Sequence, residues 1–341
     1  MARGMLAALA LAAAAPNPAP PPVDVGGRVV RAQDGSMRFG WPGVYFEGRF
    51  RGTGVTVAAE PGNDQLRLLV DGQSRGLLTG NGPGRVTIGG LAPGAHVVRL
   101  EKLTESQSGS ARFLGFWPAA GGTALPARPR ARRIEFIGDS HSVGYGDTSA
   151  VRTCSRDAVH DTTDTQQAFG PLLAKRLDAD YRIVAYSGFG IVRNYAGAAP
   201  GDSLPSRYAR AIPGEASPWR DDGWRPDWIV IDLGSNDFST PLHDGEAWAG
   251  PAALHADYRA TYAAFVRMLL ARDPRARLLL VAYPLFDADV TAVAASVADR
   301  RVTIARIGPL ALTACDWHPS LKDHRDLADA LQREMARVRA R

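Results

Sequence analysis

At 341 residues the chain is long enough for two domains and a sizeable core, and its 45% hydrophobic and 22% charged residues are ordinary for a globular protein. The formal charge of +5 is carried mostly by scattered arginines. No dense basic run with interleaved aromatics occurs, so the usual signature of a nucleic-acid partner is missing.

The chain opens like an exported protein. Arg3 gives a positive start, residues 5–14 are an apolar Leu/Ala stretch, and alanines 13–15 suit a signal peptidase. The stretch is too short to span a bilayer. Residues 16–22 are proline-rich and predict a stiff linker, so residues 1–22 are assigned to signal and linker. No later segment is apolar and long enough to be transmembrane, and the expected location is secreted or periplasmic. An even cysteine count in an exported chain predicts one disulfide, Cys154–Cys315. It closes a loop of roughly 160 residues, which the chain-entropy model values at about 5 kcal/mol.

Residues 23–120 read as an all-β unit. Apolar and polar residues alternate in short runs, as in Val44-Tyr45-Phe46-Glu47-Gly48-Arg49-Phe50 and Leu66-Arg67-Leu68-Leu69-Val70. Turn formers such as Asp71-Gly72 separate the runs, and their close spacing predicts a small β-sandwich. Residues 121–132, rich in Pro, Ala, Gly and Arg, are expected to link it to a second domain at 133–341.

That second segment alternates strand and helix. The strand candidates are 133–137, 182–186, 228–233 and 277–282, with a weaker one at 302–307. Thr163 or Asp164 is placed to cap a helix running to about 178. Leu254, Tyr258, Tyr262, Phe265 and Leu269 form one apolar helical stripe, ended by Asp273-Pro274. The last helix starts at Pro319-Ser320, where Ser320 and Asp323 resemble a capping box, and carries Leu327, Leu331, Met335 and Val338 on one face. Apolar strands alternating with amphipathic helices predict a parallel sheet covered on both faces.

Four polar motifs fall at or near the ends of these elements. Gly138-Asp139-Ser140 follows the first strand and precedes Gly144-Tyr145-Gly146. Ser187-Gly188-Phe189-Gly190 follows the second strand and Gly234-Ser235-Asn236-Asp237 the third, while Asp316-Trp317-His318-Pro319 precedes the last helix. All are expected at the carboxyl edge of the sheet, where they can converge. A serine hydroxyl needs a base to become a nucleophile, and His318 can take its proton while Asp316 orients the imidazole. The Asn236 amide and the N–H groups of Gly188 and Ser140 are candidate donors to an oxyanion. Asp237 is expected to brace its loop. His141, His160 and His324 are rival bases, of which His324 is expected to be exposed on the last helix.

These motifs together resemble the four blocks of the SGNH (GDSL) hydrolases. Gly-Asp-Ser followed by Gly-Tyr-Gly, the Ser-Gly-Phe-Gly segment leading to Arg193-Asn194-Tyr195, and Cys315-Asp316-Trp317-His318-Pro319 resemble carbohydrate esterase family 2 more narrowly. Trp41-Pro42-Gly43, Phe46-Glu47, Val70-Asp71-Gly72 and the segment 91–96 are similar to that family's β-sandwich domain. The superfamily's usual last block is Asp-x-x-His. The shorter Asp-x-His spacing here is similar to family 2, where some members use a backbone carbonyl instead of the aspartate. Either Gly188 or Gly190 can supply the oxyanion N–H, and the usual Ser-Gly pattern favours Gly188. His141 stands where a small or aliphatic residue is usual.

The resemblance implies an SGNH-type α/β domain, a parallel sheet sandwiched by helices, preceded by a jelly-roll-like all-β sandwich. It implies a serine esterase that removes O-acetyl groups from polysaccharides such as xylan or glucomannan through an acyl-enzyme on Ser140, with His318 and Asp316 completing a triad and no metal or organic cofactor required. Trp317, Tyr195 and Tyr145 are candidate walls for a sugar ring. The alternatives are a broader GDSL esterase or lipase, and a catalytically silent carbohydrate-binding protein whose sandwich does the work.

Overall fold

The structure is a computed structural model that describes residues 21–80, 82 and 84–339. The expected export signal and all but two residues of the proline-rich linker lie outside the described residues.

Strands β1 (Asp24–Gly26), β2 (Val30–Arg31), β3 (Met37–Phe39), β4 (Tyr45–Gly52), β5 (Val55–Glu60), β6 (Gly62–Val70), β7 (Gln73–Gly80), β8 (Gly84–Ile88), β9 (Gly94–Lys102), β10 (Ala111–Pro118) and β11 (Thr123–Leu125) build two antiparallel sheets. One runs β1-β4-β9-β6-β7, with β11 added on β4; the other runs β2-β3-β10-β5-β8. The alternation read from the sequence is the cause. In β6, Leu66, Leu68 and Val70 all point inward and are fully buried, while the residues between them are not. Phe46 of β4 stacks on Phe113 of β10 with ring centroids 4.2 Å apart, closing the gap between the sheets. Strand β11 falls inside the segment expected as linker. Its three residues carry too short a pattern to stand out among prolines and glycines.

The α/β half carries a five-stranded parallel sheet of β12 (Arg132–Gly138), β13 (Ala179–Ala185), β14 (Trp228–Asp232), β15 (Arg277–Ala282) and β16 (Val302–Arg306), in the order β13-β12-β14-β15-β16. Every residue of β13 and β14 is buried; β14 reads as an apolar run up to Asp232, whereas β13 is apolar only from Ile183 to Ala185, its buried Asp180 and Arg182 being paired with Arg130 and Asp222. Between and after them lie α1 (Ser140–Val143), α2 (Arg156–Thr162), α3 (Phe169–Arg176), α4 (Leu204–Arg207), α5 (Ser235–Phe238), α6 (Pro251–Arg272), α7 (Asp287–Val297) and α8 (Leu321–Arg339). The expected stripe of α6 is buried throughout. At the start of α8, Asp323 accepts the N–H of Ser320 at 2.9 Å and Ser320 Oγ accepts the N–H of Asp323 at 3.3 Å, a reciprocal cap.

The helix expected over 164–178 is divided. Asp164 caps a 3-10 turn, Thr165–Gln167, and α3 begins only at Phe169. The sandwich is responsible: the main-chain N–H and the hydroxyl of Thr165 both donate to Leu103 O, holding this turn out of α-helical register. Gln166 likewise donates to Gly43 O and Lys102 O. Tyr45 of β4 donates to Asp180 of β13, and the Arg99 guanidinium lies over the Tyr45 ring while bonding Glu47, Glu101 and Tyr181. The buried apolar side chains of both halves form one contiguous cluster. Among the described residues no helix is long and apolar enough to cross a membrane.

Candidate active site

The first strand delivers a serine to the sheet edge. β12 ends at Gly138, Asp139 caps α1 by accepting the N–H of His141 at 3.0 Å, and Ser140 is the first helical residue. Gly138 is required by packing, because a Cβ there would sit 2.0 Å from Ser142 Oγ and 3.1 Å from the carbonyl of Asp232. The hydroxyl of Ser140 lies 2.9 Å from Nε2 of His318.

His318 sits just after a 3-10 turn, Cys315–Trp317, in which Asp316 and Trp317 both adopt left-handed backbone angles (φ 49° and 57°). That turn directs two main-chain carbonyls at the imidazole: Nδ1 lies 2.9 Å from Cys315 O and 3.1 Å from Asp316 O. A carbonyl only accepts, so Nδ1 carries the proton and Nε2 offers its lone pair to the serine hydroxyl. Burial lowers the pKa of His318 below the ordinary 6.5, against the pull of the two carbonyls and of the Asp316 charge. The imidazole is therefore neutral at pH 7, the state a general base needs.

The expected carboxylate of a triad is not on the imidazole. Asp316 turns its side chain to Tyr145, whose hydroxyl donates to Asp316 Oδ2 at 3.1 Å. The left-handed turn explains this: it brings the carbonyls of residues 315 and 316 to Nδ1, leaving the carboxylate to the phenol. Tyr145, expected as a wall for substrate, instead stacks on His318 with ring centroids 4.2 Å apart. The Gly-Tyr-Gly motif gives room for this. At Gly146 (φ 56°) a Cβ would meet Cys315 Cβ at 2.4 Å, so any side chain would push the histidine loop away. Cys315 is disulfide-bonded to Cys154, and Arg152 adds bonds to the carbonyls of Ala311 and Leu312.

The two oxyanion glycines now differ. The N–H of Gly190 donates to Asn194 Oδ1 at 3.2 Å. Among the described residues the N–H groups of Gly188 and Ser140 have no partner. Asn236 departs from expectation. Its Nδ2 donates to Asp139 Oδ2 at 2.9 Å and to Phe189 O at 3.0 Å, so both amide protons are directed into the protein. The Asp139 carboxyl that accepts one of them is buried, and its pKa is held well above the carboxylate range by burial and then by Asp232, itself raised to about 7 by burial. Asn236 thus ties the nucleophile turn to the Gly188 loop. Asp237 braces that loop as expected, accepting the N–H groups of Ile191, Val192 and Arg193.

Of the predicted aromatic walls, Tyr195 and Trp317 stand 55% and 63% exposed. His324 is a correction: it is fully buried, with Nδ1 accepting the N–H of Phe169 at 3.3 Å, because α8 turns this position onto α3. His141, a rival base on the sequence, packs edge-on against both His318 and Tyr283, and burial lowers its pKa to about 3. Two residues of the sandwich escaped the sequence reading. Ser106 Oγ donates to Ala185 O at 2.7 Å, and Gln107 Nε2 donates to Ser187 O at 2.9 Å. The sandwich therefore buttresses the loop that carries Gly188. A polar turn in a β-rich segment bears no signal of such a contact. Among the described residues no group of three His, Cys, Asp or Glu side chains is placed to hold a metal ion.

Both halves of the chain match known proteins. Residues 25–128 match a family model described as the N-terminal domain of carbohydrate esterase 2, and residues 134–337 match GDSL-like lipase/acylhydrolase. The chain is 43% identical over 325 residues to an acetylxylan esterase / glucomannan deacetylase of Cellvibrio japonicus, covering 91% of this chain and 89% of that one. A solved carbohydrate esterase, described as having an active site with divergent catalytic and non-catalytic binding functions, aligns with a TM-score of 0.86 at 40% identity over 93% of this chain and 98% of its own. A family two carbohydrate esterase from Clostridium thermocellum, solved with cellohexaose, aligns with a TM-score of 0.81 at 28% identity over 92% and 98%.

Proposed function

Because the chain belongs to carbohydrate esterase family 2, whose catalytic half is a GDSL-type acylhydrolase, we propose that it removes O-acetyl groups from polysaccharides such as xylan and glucomannan, with Ser140 as nucleophile. The observation that carries this reading is the 2.9 Å approach of His318 Nε2 to Ser140 Oγ, with the other ring nitrogen held by main-chain carbonyls.

Ser140 Oγ attacks the acetyl carbonyl carbon as its proton passes to His318 Nε2. The carbonyl oxygen becomes an oxyanion, received by the N–H groups of Ser140 and Gly188; one such donor is worth about 3–4 kcal/mol in the transition state. The imidazolium returns its proton to the sugar oxygen as the C–O bond breaks. Water, deprotonated by His318, then attacks the acetyl-enzyme; the bond from the acetyl carbon to Ser140 Oγ breaks, the imidazolium returns its proton to Oγ, and acetate leaves. The carbonyls of Cys315 and Asp316 take the orienting part first assigned to the Asp316 carboxylate, and Asn236 positions rather than donates. Tyr195 and Trp317 offer ring faces to the sugars beside the scissile ester. The sandwich, from residue 23 onward, shapes this site from the side. Export belongs to the same reading, supported by the Cys154–Cys315 disulfide.

The test is acetate release from acetylated xylan and glucomannan by the full chain, with Ser140→Ala as control. Release that disappears in the variant is expected. Cleavage of short esters without release from either polymer would leave the nucleophile standing and remove the polysaccharide.

A further inference from the structure

A cleft of about 970 Å³ opens away from Ser140, between the first strands of the sandwich and the loop ahead of β14. Arg133, the second residue of β12, lines it, whereas Ser140 lies beyond the last residue of that strand. At roughly 3.3 Å per strand residue the two places are on the order of 20 Å apart.

The cleft is cationic and aromatic. Arg31, Arg133, Arg182 and Arg220 line it, together with Trp219 and Trp224. Arg182 is paired with Asp222, yet its Nε is buried without a partner, as is that of Arg133. Among the described residues no ion pair or hydrogen bond engages the guanidinium groups of Arg31, Arg133 or Arg220. Of the acids nearby, Asp221 is paired with Arg225 and Asp222 with Arg182, while Asp24 accepts a main-chain N–H of Arg128 and keeps its charge, so three unpaired arginines face one unpaired carboxylate. The uncompensated charge is thus positive. Arg28 lies 4.4 Å from the ring centre of Trp219 and Arg182 lies 4.3 Å from that of Trp224, so both indoles are braced, and both stay half-buried.

Guanidinium groups receive carboxylates through paired N–H bonds, and indole faces stack on apolar ring faces. The geometry points to a second carbohydrate site in this cleft, for a glycan that bears a carboxylate, as a hexuronic acid residue does. The choice of a glycan rests on the polysaccharide reading of the Ser140 site; the charge and the indoles do not. A polymer held here by its uronate groups stays beside the enzyme between turnovers, which raises the local concentration of its acetyl esters.

Calorimetric titration of the full chain tests this, with glucuronic-acid-substituted xylotetraose, unsubstituted xylotetraose and free glucuronate as probes. The substituted oligosaccharide is expected to bind about tenfold tighter than either other probe, and less tightly as salt is raised. Arg220→Ala and Trp224→Ala are each expected to remove most of that preference while melting temperature and cleavage of a short acetyl ester stay at the parent level. Arg220 is exposed, so its loss leaves the fold intact. Equal binding of the two oligosaccharides overturns the proposal, as does a preference that survives both substitutions. Free glucuronate binding as tightly as the oligosaccharide overturns the glycan part. Failure of the Ser140 reading shows separately, as absent acetate release in the parent chain.

Discussion

Cys315 places its carbonyl oxygen 2.9 Å from Nδ1 of His318 while its sulfur is bonded to Cys154, so the residue that holds the imidazole is itself tethered across the chain. The orienting acceptor is main-chain, and no side-chain substitution removes it directly.

Asp316→Asn is therefore expected to keep most of the activity. Asparagine tolerates the left-handed backbone of this position and can still accept from Tyr145. The expected loss in kcat is less than about tenfold, where loss of an orienting carboxylate costs about 10⁴. Steady-state kinetics on a short acetyl ester decide it, and a fall of the larger size would return the carboxylate to the imidazole.

Removing the disulfide by Cys154→Ala with Cys315→Ala is expected to lower stability by about 2–5 kcal/mol in denaturant unfolding. It also frees the 311–318 loop, so kcat falls under conditions where the protein is still fully folded. An unchanged kcat would mean that Arg152 and the Gly146 contact hold the loop unaided.

The acid limb of kcat/KM reports the base in the free enzyme. Burial lowers the pKa of His318, so the neutral, active form persists into more acidic solution than an ordinary histidine allows. The half-point of the acid limb is expected below pH 6.5, and a half-point above it would assign the limb to another group.

Stability should respond to pH in two opposing ways. Burial pushes His324 down to about 3, so between pH 6.5 and about 3 the unfolded chain binds more protons there. Its contribution is complete above pH 6.5 and lost as pH falls. Burial raises Asp232 from 3.8 to about 7, so its contribution is complete below pH 3.8 and lost as pH rises through 7. Thermal melts of His324→Gln from pH 4 to 8 should show a shallower loss on the acid side, and those of Asp232→Asn a shallower loss toward neutrality. The reverse pattern would refute both burial arguments.

Tyr195→Ala and Trp317→Ala are expected to raise KM a few-fold for an acetylated oligosaccharide and to leave a small synthetic ester unaffected, since only the former spans the exposed rings. Equal effects on both substrates would make these rings part of the reacting site itself.

The sequence by itself determined the two halves, the strands that carry the motifs, the serine and histidine of the site, and the cysteine pair. Most of these are written locally: period-two alternation in β6, short apolar runs in β13 and β14, Gly-Asp-Ser at the end of a strand, a histidine three residues after a cysteine. Only the tertiary structure decided what orients His318, where the amide of Asn236 points, which glycine keeps a free N–H, and that His324 is buried. It alone brought Ser106 and Gln107 of the sandwich to the loop of Gly188. The physical reason is common to all of these. Main-chain carbonyls and N–H groups occur at nearly every residue, so their assignment leaves no mark in residue identity, and contacts between distant segments exist only once the two halves have packed.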